Sequence, residues 1–118
     1  MGTFTVPVTL VHPEQRERAI VVDLLVDTDA TYSLLPAETV AALQLPTLEE
    51  RPAELASGEL VVYRLGEVRV RLDGREFSTI FVAGPPGCPA LLGAVTLEAF
   101  GLAVDPVHQR LFPVLAHL

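Results

Sequence analysis

The stretch LLVDTDATYSLLP, residues 24–36, decides how this chain is read. An apolar run ends in two carboxylates, Asp27 and Asp29, separated only by Thr28. Hydrophobic residues then resume through Ala30, Tyr32, Leu34 and Leu35. A carboxylate at the end of a buried strand costs roughly several kcal/mol unless it is hydrogen-bonded, paired or protonated. The pattern therefore points to a metal, a structural ion pair or acid–base chemistry. Two plainer readings stand beside these: Asp27 satisfied by backbone N–H groups at a turn, and Asp29 as an outward-pointing turn residue.

Working outward, 118 residues give room for one domain, residues 1–118, with one hydrophobic core. The long uncharged stretch from Phe77 to Thr96 is broken by prolines and glycines, so it is no membrane-spanning helix. The opening MGTFTVPV has no basic flank leading into an apolar segment, and no signal peptide is expected. A single cysteine, Cys88, excludes an internal disulfide framework and fits a reducing, cytoplasmic setting. The net charge of −7 argues against nucleic acid or an anionic membrane as partner.

Most of the chain reads as strand. Thr3–Val11 alternates polar and apolar residues, with Pro7 marking an edge or a bulge. Residues 12–18 form a polar turn, and Ala19–Val26, rich in β-branched residues, predicts a buried strand. Pro36 opens a short helix over residues 36–45. Thr47–Glu54, charged and interrupted by proline, predicts a loop. Strands resume from Leu55, turning over Ser57-Gly58 and again at Asp73-Gly74, a strong hairpin signal. GPPGCP predicts a rigid loop, AVTLEAF a second short helix closed by Gly101, and LAVD and RLFPVL the last strands.

The order apolar strand, Asp-Thr-x-Ala-Thr, then an apolar run into Pro and a helix resembles the retropepsin-like aspartic proteases. Their motif is apolar-apolar-Asp-Thr/Ser-Gly-Ala-Thr/Ser, and residues 24–36 match it except at Asp29, where the family has glycine. ELASGELVVYRLGEVRV resembles the family's flap hairpin and supporting strand, and ALLGAVTLEAFGLAVDPVHQRLFP resembles its second half. Together these segments cover most of residues 19–113 in order.

The resemblance implies a mainly β fold, a small closed β-barrel with one or two short helices. It implies a homodimer, because one chain carries one motif and the chemistry needs two carboxylates. Asp27 would be the catalytic acid/base, Thr28 would brace the two loops across the dimer, and Ala30 would lie beside the substrate backbone. Ala56, Ser57 and Gly58 would form the tip of a flap closing over an extended peptide. Leu92 and Gly93 would pack under the active-site loop. No cofactor and no metal are implied. At Asp29 a glycine would let the backbone approach closely, whereas aspartate adds bulk and charge. Activity impaired by Asp29 and a non-catalytic dimerisation or peptide-binding module are therefore both open readings.

The remaining candidates are weaker. Asp-x-Asp also suits a divalent metal with a nucleotide-sugar, but further oxygen ligands and a phosphate-binding loop are not evident. His12, His108 and His117 are expected to face solvent, and Cys88 to be an ordinary loop thiol. Tyr63 reads as a packing residue or a wall of the substrate cleft. Ser33 lacks the neighbouring histidine that a serine nucleophile needs.

Overall fold

The computed structural model describes residues 3–118. In chain order it contains β1 (Thr5–Val11), β2 (Ala19–Val26), β3 (Ser33–Leu35), α1 (Ala37–Leu43), β4 (Thr47–Glu54) and β5 (Leu60–Leu72). These are followed by β6 (Arg75–Ala83), β7 (Leu91–Leu92), α2 (Ala94–Ala99), β8 (Leu102–Asp105) and β9 (Arg110–Pro113).

Seven strands make one sheet in the order β1-β2-β7-β3-β6-β5-β4. Thr9–Val11 of β1 also pair with Arg69–Arg71 of β5, so the ladders run in a ring and the sheet curls into a barrel-like layer. The ring is uneven, since β7 joins it through two rungs to β2 and one to β3. β8 and β9 form a separate two-stranded sheet. Inside the ring lies the core, with Val8, Leu10, Leu24, Leu35, Val68, Val70, Phe81 and Leu92 all at 2 % exposure or less.

Local chemistry explains the joins. Asp73 (φ 52) and Gly74 (φ 75) are both left-handed, the backbone of a two-residue turn that matches strand twist, and Leu72 pairs directly with Arg75. Pro36 precedes α1, where its fixed φ suits a helix start, and Gln44 (φ 54) ends it. The mainly β fold with two short helices is the one expected.

Three expectations need correction. Thr47–Glu54 is a strand, β4, antiparallel to β5, where a loop was predicted. It is an edge strand with mostly exposed residues, so no buried face gives it alternating hydrophobicity. β2 is buried only towards its C-terminal end, and Val21 is 71 % exposed. His12 is buried rather than solvent-facing. Its Nδ1 accepts the N–H groups of Glu14 and Gln15 and so organises the β1–β2 turn.

Candidate active site

β2 delivers the motif residues to a tight turn that the second half of the chain holds from behind. The Leu25 N–H donates to the Ala90 carbonyl at 2.9 Å, and the Asp27 N–H to the Leu92 carbonyl at 3.1 Å. Within the turn, the Ala30 N–H donates to the Asp27 carbonyl at 3.2 Å, and the Asp29 N–H to Asp27 Oδ1 at 3.0 Å. One carboxylate oxygen is thus fixed by the backbone, as the plainer reading of Asp27 anticipated.

The N-terminus of α2 braces the far side of the turn. The first N–H groups of a helix have no partner inside it. Here Ala94 and Val95 give theirs to the carbonyls of Ala30 and Thr31, at 2.8 and 2.9 Å. Gly93 makes this approach possible. A Cβ there would lie 2.5 Å from the Tyr32 carbonyl carbon and oxygen, closer than van der Waals contact allows.

Beneath the turn runs a chain of buried hydroxyls. The Gly93 N–H donates to Ser33 Oγ, Ser33 Oγ lies 2.7 Å from Thr96 Oγ1, and Thr96 Oγ1 lies 2.7 Å from Thr79 Oγ1. It ties β3, α2 and β6 together directly below the acidic turn. Ser33 is therefore a structural link. Thr79 and Thr96 had no signal in the sequence, because their partnership spans segments far apart in the chain.

Asp27 is half-buried and Asp29 exposed, so within one chain the acids are turned out of the core that the flanking residues enter. They border a hollow of about 230 Å³, with Phe4, Thr28, Val104 and Pro106 on its other sides. Among the described residues the non-glycine positions with positive φ are Gln44, Asp73 and Gln109, and Asp29 is not one of them. No left-handed backbone therefore calls for glycine at this position. A larger cavity of about 920 Å³ lies away from Asp27, bounded by Leu34, Val40, Tyr63 and Val82. Of these two, only the smaller hollow is lined by carboxylates.

Ala56, Ser57 and Gly58 form the turn joining β4 to β5, closed by hydrogen bonds between Leu55 and Glu59 and from Gly58 N–H to Leu55 carbonyl. Asp27, Thr28, Asp29, Ala30, Leu92 and Gly93 are thus brought together, whereas the hairpin joins this group through other residues. Arg51 on β4 donates to Tyr32 Oη at 3.4 Å. Its hydrogen bonds, to Glu49 first and then Tyr32, hold its pKa above the ordinary arginine value, and the same partnership lowers that of Glu49. Among the described residues no group of three or more His, Cys, Asp or Glu is placed to hold a metal ion.

The aspartyl protease family matches residues 17–95, which include the acidic turn, the β4–β5 hairpin and Gly93. A search of curated protein sequences finds no match. Among solved structures, the EIAV protease complexed with the inhibitor HBY-793 is similar at TM-score 0.62 and 18% identity, covering 85% of this chain and 89% of that one. The retroviral protease-like domain of Ddi1 from Leishmania major is similar at TM-score 0.61 and 15% identity, covering 96% and 89%. A retropepsin-like aspartic protease from Rickettsia conorii is similar at TM-score 0.56 and 23% identity, covering 88% and 85%. At these identities the likenesses speak to the fold, which is retropepsin-like. The match over more than half of the sequence speaks to ancestry, and by it the chain belongs to the aspartyl protease family.

Proposed function

We propose that the protein is a homodimeric aspartic endopeptidase whose site pairs Asp27 of one chain with Asp27 of a second. The observation that carries this reading is the turn itself. Asp27 sits outside the core on a rigidly braced loop, with one oxygen held by the Asp29 N–H. The exposed Val107, at 83 %, follows directly on Pro106, which with Val104 shares the hollow of Asp27, and supplies apolar surface for a second copy there.

Two carboxylates about 3 Å apart cannot both ionise, and they share one proton. The ionised partner takes a proton from a water molecule while the water oxygen adds to the scissile carbonyl carbon. The protonated partner donates to the carbonyl oxygen. Collapse of the tetrahedral species breaks the C–N bond as the amide nitrogen takes up a proton, leaving a carboxylic acid and an amine. The turn at Ala56–Gly58 would close over an extended peptide as a flap.

Asp27→Asn keeps size and hydrogen bonding but removes the titrating proton. It is expected to abolish peptide cleavage while leaving fold and dimer intact, and a statine-type mimic is expected to inhibit the wild type. Cleavage by Asp27→Asn near the wild-type rate would place the chemistry elsewhere. Asp29 favours a second reading, a dimeric peptide-binding module without turnover. Binding of the mimic with no cleavage at any pH would select it.

A further inference from the structure

β5 runs unbroken from Leu60 to Leu72, but its two halves have different neighbours. From Arg64 onward it pairs with β6, whereas Leu60–Tyr63 pair only with β4. Among the described residues β4 has no other neighbour in the sheet. The hairpin therefore leaves the sheet at Arg64, and Arg51↔Tyr63 is its first free-standing rung.

Arg51 is anchored at that rung. Its Nε and Nη2 donate to the two carboxylate oxygens of Glu49 at 3.0 and 3.1 Å, which fixes the plane of the guanidinium. The remaining arm, Nη1, reaches Tyr32 Oη. Among the described residues this is the only side-chain hydrogen bond from the free-standing hairpin to a residue outside β4, β5 and the turn between them. Tyr32 belongs to the stretch that carries Asp27, immediately before Ser33 and its buried hydroxyl chain.

We propose that Arg51 is a positioning residue: its bridge to Tyr32 fixes the rung at which the β4–β5 hairpin leaves the sheet, and ties that rung to the Asp27 segment. With the bridge made, the rung Arg51↔Tyr63 moves with the body. Only the rungs Pro52↔Val62 to Glu54↔Leu60 and the turn beyond them swing. Without it, motion begins one rung earlier and loses its reference to the site. A peptide entering under the turn then orders more of the hairpin as it binds, which weakens binding rather than the chemical step. This consequence rests on the peptidase reading, whereas the mechanical claim does not.

Amide hydrogen exchange by mass spectrometry tests the mechanical claim on the full chain. Tyr32→Phe removes only the phenol oxygen, and Arg51→Met keeps the length of the stem. Each is expected to speed exchange over residues 52–62 about fivefold, with the β1–β2 ladder unchanged, and the double variant to go no faster than Arg51→Met alone. Unchanged hairpin exchange in Tyr32→Phe, or a double variant whose acceleration is the product of the two singles, would overturn it. Steady-state kinetics add a readout that a purely structural role would not move. KM is expected to rise about fivefold in both variants with kcat held, and a fall in kcat at constant KM would refute the positioning role. Should the wild type cleave nothing, the peptidase reading fails and the exchange measurement still decides the bridge.

Discussion

At Gly93 the absence of a side chain is a packing requirement, because the space a Cβ would fill holds the Tyr32 carbonyl. Gly93→Ala is expected to lower stability by about 1–3 kcal/mol and to push the acidic turn out of place, checked by urea unfolding together with peptide cleavage. Thr96→Val removes the middle hydroxyl of the buried chain and leaves Ser33 and Thr79 each short of a partner. The expected cost is about 1–3 kcal/mol, and an unchanged urea midpoint would mean that the two neighbours find new partners. Asp29 carries the opposite expectation, since its backbone needs no glycine. Two copies near a two-fold axis would gather four carboxylates, whose repulsion grows as they ionise, so the dimer should weaken as pH rises. Asp29→Gly should tighten the dimer near neutral pH and raise cleavage. Identical pH dependence of dissociation in the two proteins would show that Asp29 does not face the axis. The sequence made Asp27, Asp29 and Gly93 visible because each lies in a local pattern with a chemical meaning. Thr79, Thr96 and the Arg51–Tyr32 bridge were not visible, because polar pairings between distant segments leave no local periodicity.

Among the elements, the β5–β6 ladder carries a charge cluster on its outer face. Glu76 accepts from Arg69 and Arg71 and lies 2.8 Å from Arg16. The hydrogen bond from Arg69, ahead of that from Arg71 and the charge of Arg16, overcomes desolvation and draws its pKa from 4.5 down to about 2. A depressed carboxylate stabilises the fold fully above the unfolded value and loses that contribution as pH falls through the folded one. Between pH 4.5 and about 2, the wild type should therefore lose stability more steeply than Glu76→Gln. Urea midpoints across that window check this, and parallel curves would mean that the cluster stabilises neither state selectively. The hairpin turn at Asp73-Gly74 and both helices were legible because turn chemistry and helical spacing are local. β4 was not, because an exposed edge strand rich in Glu has neither a buried face nor strong strand propensity.

For the whole molecule, the ring of ladders is completed by contacts between the first strand and the fifth. The resemblance anticipated a mainly β fold of this class, which no single segment reveals, though the expected closed barrel is not formally closed. The small sheet of β8 and β9 stands apart from the ring, with exposed apolar residues beyond each strand. Sedimentation at micromolar concentration should give a dimer, and a strict monomer that still cleaves peptide would defeat the shared site. The ordinary backbone at Asp29 bears finally on how such a protein changes through time. Aspartate and glycine codons differ by one base, and no left-handed backbone reserves this position for glycine. A change at residue 29 is therefore expected to be felt in the site and in the pairing of two chains before it is felt in the folding of one.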